Sequence, residues 1–410
     1  MHRASVLLGT SLFLLTGLFH AADGLNTVKD SECDCFLTNG TQPTFYANHV
    51  FFDFRNLPQH ARVPDLITSA DDSSSASPAS SYFTSSLWTG TWQTQSWNNA
   101  KGGGHLNGDA HVLRVNSPNN VYIQASDEGH THLTLRTSRL DEFQSTAEFQ
   151  TKSSNYLFLS LRVLARTTGA AGGVSAIFTY RDAPKLADIQ EAALEVVTRG
   201  PRTKVQCTNQ PSYADSSGAY DAGVAGRATR NSTLPFAKEW TSWAVYRLDW
   251  TPTRSIWFVD GQQVADIEFQ VPRDPAAINI NSWGDGGSWS GNMSVGAESN
   301  LQIQWIEIIY NNTDDASGGK ARRHASPIPA SPITPEASSV AQKRGVKENQ
   351  CGAVCSIDDS TEIGSASKLW GVKTSIASAS PRTWSWIWTL YCSALFSFTV
   401  VRIVSPFAHI

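Results

Sequence analysis

From about Trp92 to Tyr310 the chain repeats one texture. Short runs rich in Val, Ile, Thr, Phe, Tyr and Trp are separated by Gly, Asn, Asp and Pro. Several runs alternate polar and apolar positions, as in His132-Leu133-Thr134-Leu135-Arg136 and Leu301-Gln302-Ile303-Gln304-Trp305. A period of two marks half-buried antiparallel strands. Further strands are expected at 121–123, 156–163, 243–250 and 255–259. Asp260-Gly261 stands between 255–259 and 262–269, a strong two-residue hairpin signal. Little of the region has helical periodicity. The pattern predicts an all-β sandwich of about 250 residues.

The flanks differ. His2 and Arg3 precede an apolar run from Val6 to Phe19, and His20-Ala21-Ala22 follows. Residues 1–22 therefore read as a secretory signal peptide, cut near Ala21 or Ala22. Residues 23–312 form the expected domain. Residues 313–383 are rich in Ser, Pro and Ala, which predicts a disordered linker. Residues 384–402 are mostly apolar, with no charge before Arg402. Three readings of that segment stay open: a membrane anchor, a removed lipid-anchor signal, or an apolar tail without a membrane role.

Charge and cysteines narrow the class. The formal net charge is −4 and the basic residues are scattered, which excludes nucleic acid as the main partner. Four acceptor sequons, at Asn39, Asn231, Asn292 and Asn311, agree with secretion. The expected location is extracellular, free or held at the cell surface, and the expected state is a monomer. Six cysteines in 410 residues do not make a disulfide scaffold. Cys33 and Cys35 are too close to pair easily with each other; a bridge from one of them to Cys207 is one option. Cys-x-Cys has no matching pair for zinc, so no metal and no cofactor is expected. Gly102-Gly103-Gly104 reads as a turn. His130-Thr131-His132 reads as surface.

The most informative chemistry lies in Glu191-Ala192-Ala193-Leu194-Glu195. On a strand, Glu191, Ala193 and Glu195 share one face. A retaining glycosidase needs two carboxyls about 5 to 5.5 Å apart. Strand positions four apart have Cα atoms roughly 13 Å apart. Two Glu can therefore act together only on a bent strand, with both side chains leaning inward. On a flat sheet they are ordinary surface residues.

The surrounding motifs favour the first reading. Gly173 to Tyr180 and Gln190 to Arg199, with Val205-Gln206, Thr208-Asn209-Gln210-Pro211, Tyr246 to Pro252 and Ile280 to Gly287, resemble glycoside hydrolase family 16. The likeness is greatest to its fungal secreted members. Val115 to Tyr122 and Cys33-Asp34-Cys35 share that resemblance, which runs from about 33 to 312. It implies a β-jelly-roll of two antiparallel sheets with a concave sugar-binding groove. It implies Glu191 as nucleophile, Glu195 as general acid/base, and β-glucan or a related cell-wall polysaccharide as partner. Products would come from hydrolysis or from transglycosylation.

Ala193 departs from the resemblance, because the family carries Asp there as a helper. A second anion about 7 Å away, at an effective dielectric near 20, is worth roughly 2 kcal/mol. Its loss is expected to favour ionisation of Glu195, which must keep a proton to act as acid. Two outcomes follow: a weakened enzyme, or a glucan-binding lectin that has lost turnover. Sugar contacts are expected from Trp283, Trp289, Asn209 and Gln210. Trp88, Trp92 and Trp97 are assigned to core or cleft rim alike.

Overall fold

The computed structural model describes residues 25–40, 42–74, 76–212, 222–313 and 351–371. The expected signal peptide at 1–22, the apolar segment at 384–402 and the rest of the expected linker lie outside the described residues. No helix among the described residues is long and apolar enough to cross a membrane.

Strands dominate, and the alternating runs fall where the pattern puts them. His132–Arg136 lies within the strand Thr131–Arg139, and Leu301–Tyr310 within Glu298–Asn312. Ser255–Val259 and Gln262–Ile267 form the expected hairpin. Its turn residues Asp260 and Gly261 have φ of 47° and 77°, the left-handed pair that such a tight turn requires. The three glycines from Gly102 turn between two short paired strands.

The strands build a sandwich whose two sheets share one strand. The inner sheet runs, edge to edge, Thr229–Thr233, Lys204–Gln210, Gln190–Val197, Val174–Arg181, Ala277–Trp283 and Phe143–Thr151. The last of these continues into the outer sheet through Thr131–Arg139, Glu298–Asn312, Tyr156–Gly169, Ala244–Trp250, Ser255–Val259 and Gln262–Ile267. Ser232 Oγ donates to the Val264 carbonyl at 2.8 Å, so the two free edges almost meet. Parallel pairings depart from the expected antiparallel rule: Leu113–Asn116 lies parallel to Phe143–Thr151, and Cys35–Leu37 parallel to Ala353–Ser356.

The core fills the space between the sheets. Leu133, Leu135, Leu161, Leu248, Trp257, Ile278, Ile280 and Ile303 are all buried there. Trp88 and Trp92 belong to this core, packed with Phe149 at 5.0 Å between ring centroids. Burying a single Leu or Phe is worth about 1.5 to 3 kcal/mol, so the aromatic and aliphatic fill easily fixes which face of each strand turns inward.

Two expectations fail at the outer face. The stretch read as a linker contains two strands, Ala353–Ser356 and Ala366–Gly371. They form a small sheet with Thr27–Val28, Cys35–Leu37 and Phe45–Tyr46. Disulfides Cys33–Cys355 and Cys35–Cys351 fasten it, while Cys207 is free and buried. Ser and Ala dominate the composition of 313–383 and hide two short apolar strands that cannot stand alone.

The third layer has a second consequence. Outward positions of the outer sheet, which would otherwise face water, become buried. Arg162, Arg247, Asp249 and Glu307 are 4–5% exposed. Asp358 of the added segment accepts from Arg162 at 2.9 Å and lies 3.5 Å from Arg247. Arg247 also holds both oxygens of Asp249 and two of Asn39. Burial works to lower the pKa of His49, but hydrogen bonds to Asp30 and Glu307 hold it protonated to about 9.

Candidate active site

Strand register builds the site row by row across the inner sheet. Glu191 pairs with Tyr180 on one side and Gln210 on the other. Ala193 pairs with Phe178 and Thr208, and Glu195 with Ala176 and Gln206. Beyond Ala176 the row continues through Asn281 to Glu148. The opposite face of the carboxylate strand carries Ala192, Leu194 and Val196, all in the core. Alternation thus pins Glu191 and Glu195 to one surface.

That surface is a cleft of about 1510 Å³. Glu191, Glu195, Gln210, Trp283 and Trp289 all line it. So do Trp97, Arg114, Glu148, Tyr180, Asn279 and Asn281. The structure corrects one expected contact. Asn209 follows Thr208 on the same strand, so its side chain turns to the other face. It is fully buried, and its amide donates to the Phe269 carbonyl at 3.0 Å. Gln210, one position on, returns to the cleft. The surface reading of His132 also fails: it is buried, its ring packs edge-on to Trp243 at 5.9 Å, and burial lowers its pKa to about 4. His130 is exposed.

The two glutamates have the electrostatics of working groups. Burial raises Glu191 to about 8, and the charge of Glu195 adds to the rise. Burial raises Glu195 to about 7, against a hydrogen bond from the Trp289 side chain. Neither meets a cation among the described residues. The charge of Glu195 reaches Glu191 along the shared face of the strand. They titrate as a pair that shares a proton near neutral pH; turnover by two carboxyls draws on the form with Glu191 ionised and Glu195 protonated, the reverse of the order in which burial raises them. The expected loss of acidity control without the helper Asp is therefore offset. Burial alone keeps Glu195 well above an ordinary carboxyl.

One end of the cleft is a stack that the sequence reading did not assemble. The Arg114 guanidinium lies over the Trp97 ring at 4.4 Å and over Trp283 at 4.9 Å. Its Nη2 is 3.9 Å from Glu148. Asn281 donates to the same carboxyl at 3.5 Å. Burial raises the pKa of Glu148, opposed by Arg114 and Asn281. The signal was present: Thr146, Glu148 and Gln150 are polar at every second position of a strand whose alternate residues, Ala147 and Phe149, are core. Trp283 is thus a wall of the cleft with one face already covered by Arg114, while Trp289 is 36% exposed. Among the described residues no cluster of three or more His, Cys, Asp or Glu could hold a metal ion.

Parts of the chain are similar to known proteins. The model of the glycosyl hydrolases family 16 matches residues 108–307, which contain every cleft residue named above except Trp97. A Saccharomyces cerevisiae protein, "Probable glycosidase CRR1", is 27% identical over 116 residues, covering 25% of this chain and 26% of that protein. A Bacillus licheniformis beta-glucanase is 24% identical over 220 residues, covering 53% of this chain and 80% of the relative. A solved structure of B. licheniformis beta-glucanase covers 55% of this chain and 93% of its own, with 23% identity and a TM-score of 0.42.

Proposed function

We propose that this chain, which belongs to the glycosyl hydrolases family 16, is a glycoside hydrolase that cuts β-glucan with retention at the anomeric carbon. The observation that carries the reading is the pair Glu191 and Glu195. They lie on one face of a cleft strand, both raised by burial and Glu191 also by the charge of Glu195, with no cation to pair them among the described residues. Partly desolvated carboxyls in a cleft, with no opposite charge to pair them, are functional-site candidates.

The chemistry takes two steps. In the first, a Glu191 oxygen attacks the anomeric carbon, and the bond to the leaving oxygen breaks. Glu195 gives that oxygen its proton. The products are a glycosyl ester on Glu191 and a carboxylate at Glu195. In the second, Glu195 takes a proton from water, whose oxygen attacks the same carbon and frees Glu191. A sugar hydroxyl in place of water gives transglycosylation and would remodel a wall. Trp289 is placed to stack on a sugar ring, and Gln210 to hydrogen-bond a hydroxyl. Secretion by way of residues 1–22, attachment through 384–402 and a monomeric state complete the proposal.

The test is hydrolysis of mixed-linkage and β-1,3-linked glucan by the purified protein, with product analysis. Reducing ends should appear, with the β-anomer formed first. Binding without any release of reducing sugar, and none restored by Ala193→Asp, would sink the enzyme reading in favour of the lectin.

A further inference from the structure

We propose that Asn231 carries an N-linked glycan that stands at one mouth of the cleft and limits how far a glucan chain extends there. The glycan rests on the secretion proposed above, and its effect rests on the glucan reading of the cleft. Asn231 opens the sequon Asn231-Ser232-Thr233. All three residues lie in the strand Thr229–Thr233, at the free edge of the inner sheet. Attachment forms the bond from Asn231 Nδ2 to C1 of the first sugar and breaks the bond from C1 to the diphosphate of a lipid-linked oligosaccharide. The lipid diphosphate leaves, and the amide gives up one proton.

Register decides which way this side chain faces. Asn231 pairs with Gln206, and Gln206 pairs with Glu195. The residues two positions away confirm the face. Thr229 meets the cleft residue Thr208, with the two hydroxyls 3.2 Å apart. Thr233 accepts from Lys204 Nζ across the same pair of strands. Ser232 turns the other way: it is buried, and its hydroxyl donates to the Val264 carbonyl at 2.8 Å. Side chains alternate along a strand, so Asn231 stands on the face of the two glutamates. Two strand spacings put it about 10 Å from Glu195, backbone to backbone. Asn231 is itself exposed.

The cleft crosses the strands, and this edge is one of its ends. Its lining runs from Glu148 through Asn281, Ala176 and Glu195 to Thr208. The next strand is the one that bears Asn231, and among the described residues the inner sheet stops there. The Arg114 stack forms the opposite end. A glucan lying across the glutamates therefore leaves the cleft over Thr229–Thr233. The surface beside Asn231 falls into a depression of about 480 Å³, shared with Gln263, Val264, Ala265 and Asp266, which gives the first sugars room. The other three sequons are placed differently. Asn39 Oδ1 accepts from Arg247 at 2.6 Å, Asn311 Oδ1 accepts from Ala47 N at 3.0 Å, and Asn292 lies in the loop after Trp289. Of the four, Asn231 is the one on a strand of the cleft sheet.

The test uses the full chain produced in a eukaryotic host with a secretory pathway. Enzymatic release of N-glycans in ¹⁸O-water converts each occupied Asn to a labelled Asp, which peptide mass spectrometry reads site by site. Asn231 should carry the label. Label at other sequons and none at Asn231 overturns the proposal and leaves secretion standing; no label at any sequon overturns both. The effect on the cleft is read with Asn231→Gln and with Thr233→Ala, which removes the sequon and keeps the Asn. Thr233→Ser keeps the sequon and is the control. Loss of the glycan should raise kcat/KM on long β-glucan about fivefold, through KM, and leave a short oligosaccharide within about twofold. An equal response of long and short substrates, or the same response in Thr233→Ser, overturns the role at the cleft mouth. If no form cuts glucan, the hydrolase reading falls and affinity takes the place of turnover. Tighter binding of long glucan alone then supports the proposal, and unchanged binding overturns it.

Discussion

On the outer face, Arg162, Arg247, Asp249 and Asp358 are buried together, and each charge finds an opposite one. On the inner face, Glu191 and Glu195 stand half-buried on one side of a cleft strand and find none among the described residues. Both arrangements take ionisable groups at least partly out of water. Only the first satisfies them inside the protein. Buried pairs hold a structure together mainly in the sense that removing one partner strands the other. Buried like charges do the reverse, and persist where a reaction needs a proton shared at neutral pH. Under the proposed function, stability belongs to the outer cluster and chemistry to the inner one.

The largest expected effect separates the two roles. Glu191→Gln should lower kcat/KM by about 10⁴-fold or more, since the covalent step loses its nucleophile. The same change should leave the protein no less stable near neutral pH, and heat denaturation should show it. The sign follows from the raised pKa. Between the ordinary value of 4.5 and about 8 the folded Glu191 keeps a proton that the unfolded chain has released. Stability therefore falls as pH rises through that window. A neutral Gln removes that loss. If Glu191→Gln unfolds the protein, the division of roles is broken.

The reverse is expected outside. Asp358→Ala leaves Arg162 and Arg247 buried side by side, and the charge of Arg247 already disfavours that of Arg162. Loss of one partner of such a group costs about 3 to 5 kcal/mol. Thermal unfolding should report it, while kcat per folded molecule stays unchanged. A fall in kcat at full folding would show that the outer layer reaches the cleft.

Legibility in the sequence follows the same division. The inner site is built from one strand and its neighbours, so alternation alone places Glu191, Ala193, Glu195 and, by the same rule, Thr208 and Gln210. Asn209 was misplaced because two adjacent residues were assigned to one surface, which no strand allows. The Asp260-Gly261 turn was legible because two successive positive φ values demand those residue types. The outer cluster was not legible. Asp358 lies 196 residues from Arg162 and Cys355 lies 322 from Cys33, and no local pattern links them. The cue was arithmetic, two cysteines at each end of the domain, and it was outweighed by the linker-like composition between them. The Arg114 stack failed for a similar reason: Trp97, Arg114, Glu148 and Trp283 come from separate elements and meet only when the inner sheet closes.

The pH dependence of turnover sharpens the inner half of the comparison. A pair that shares a proton near neutral pH gives a bell whose limbs lie at about 7 and about 8. Activity should fall about tenfold for each pH unit outside the window. Denaturation of the outer cluster should not contribute there, since a His49 held protonated to about 9 leaves its contacts with Asp30 and Glu307 intact across the bell. A single limb near pH 4.5 would mean that neither glutamate is perturbed as the structure places it.

The smallest effect is the most specific. Ala193 is 1% exposed, between Phe178 and Thr208. Ala193→Asp puts a third carboxyl on the face that already holds two. If it ionises, it lies near enough to each glutamate to be worth up to roughly 2 kcal/mol at an effective dielectric near 20, less in an open cleft. Like charge raises a carboxyl pKa. Both limbs of the bell should therefore move up, by about one unit at most. If the new carboxyl instead keeps its own proton, it can donate to Glu191 and lower that group alone, and only the acid limb moves, downward. The two outcomes are distinguishable in one pH profile. The first would show that burial in this chain does part of what a helper charge at position 193 would do. The second would show that the helper works by a hydrogen bond to the nucleophile, which burial cannot replace. A profile unchanged in both limbs would mean that position 193 does not communicate with either carboxyl, and that desolvation by the closed inner sheet sets the pair without it.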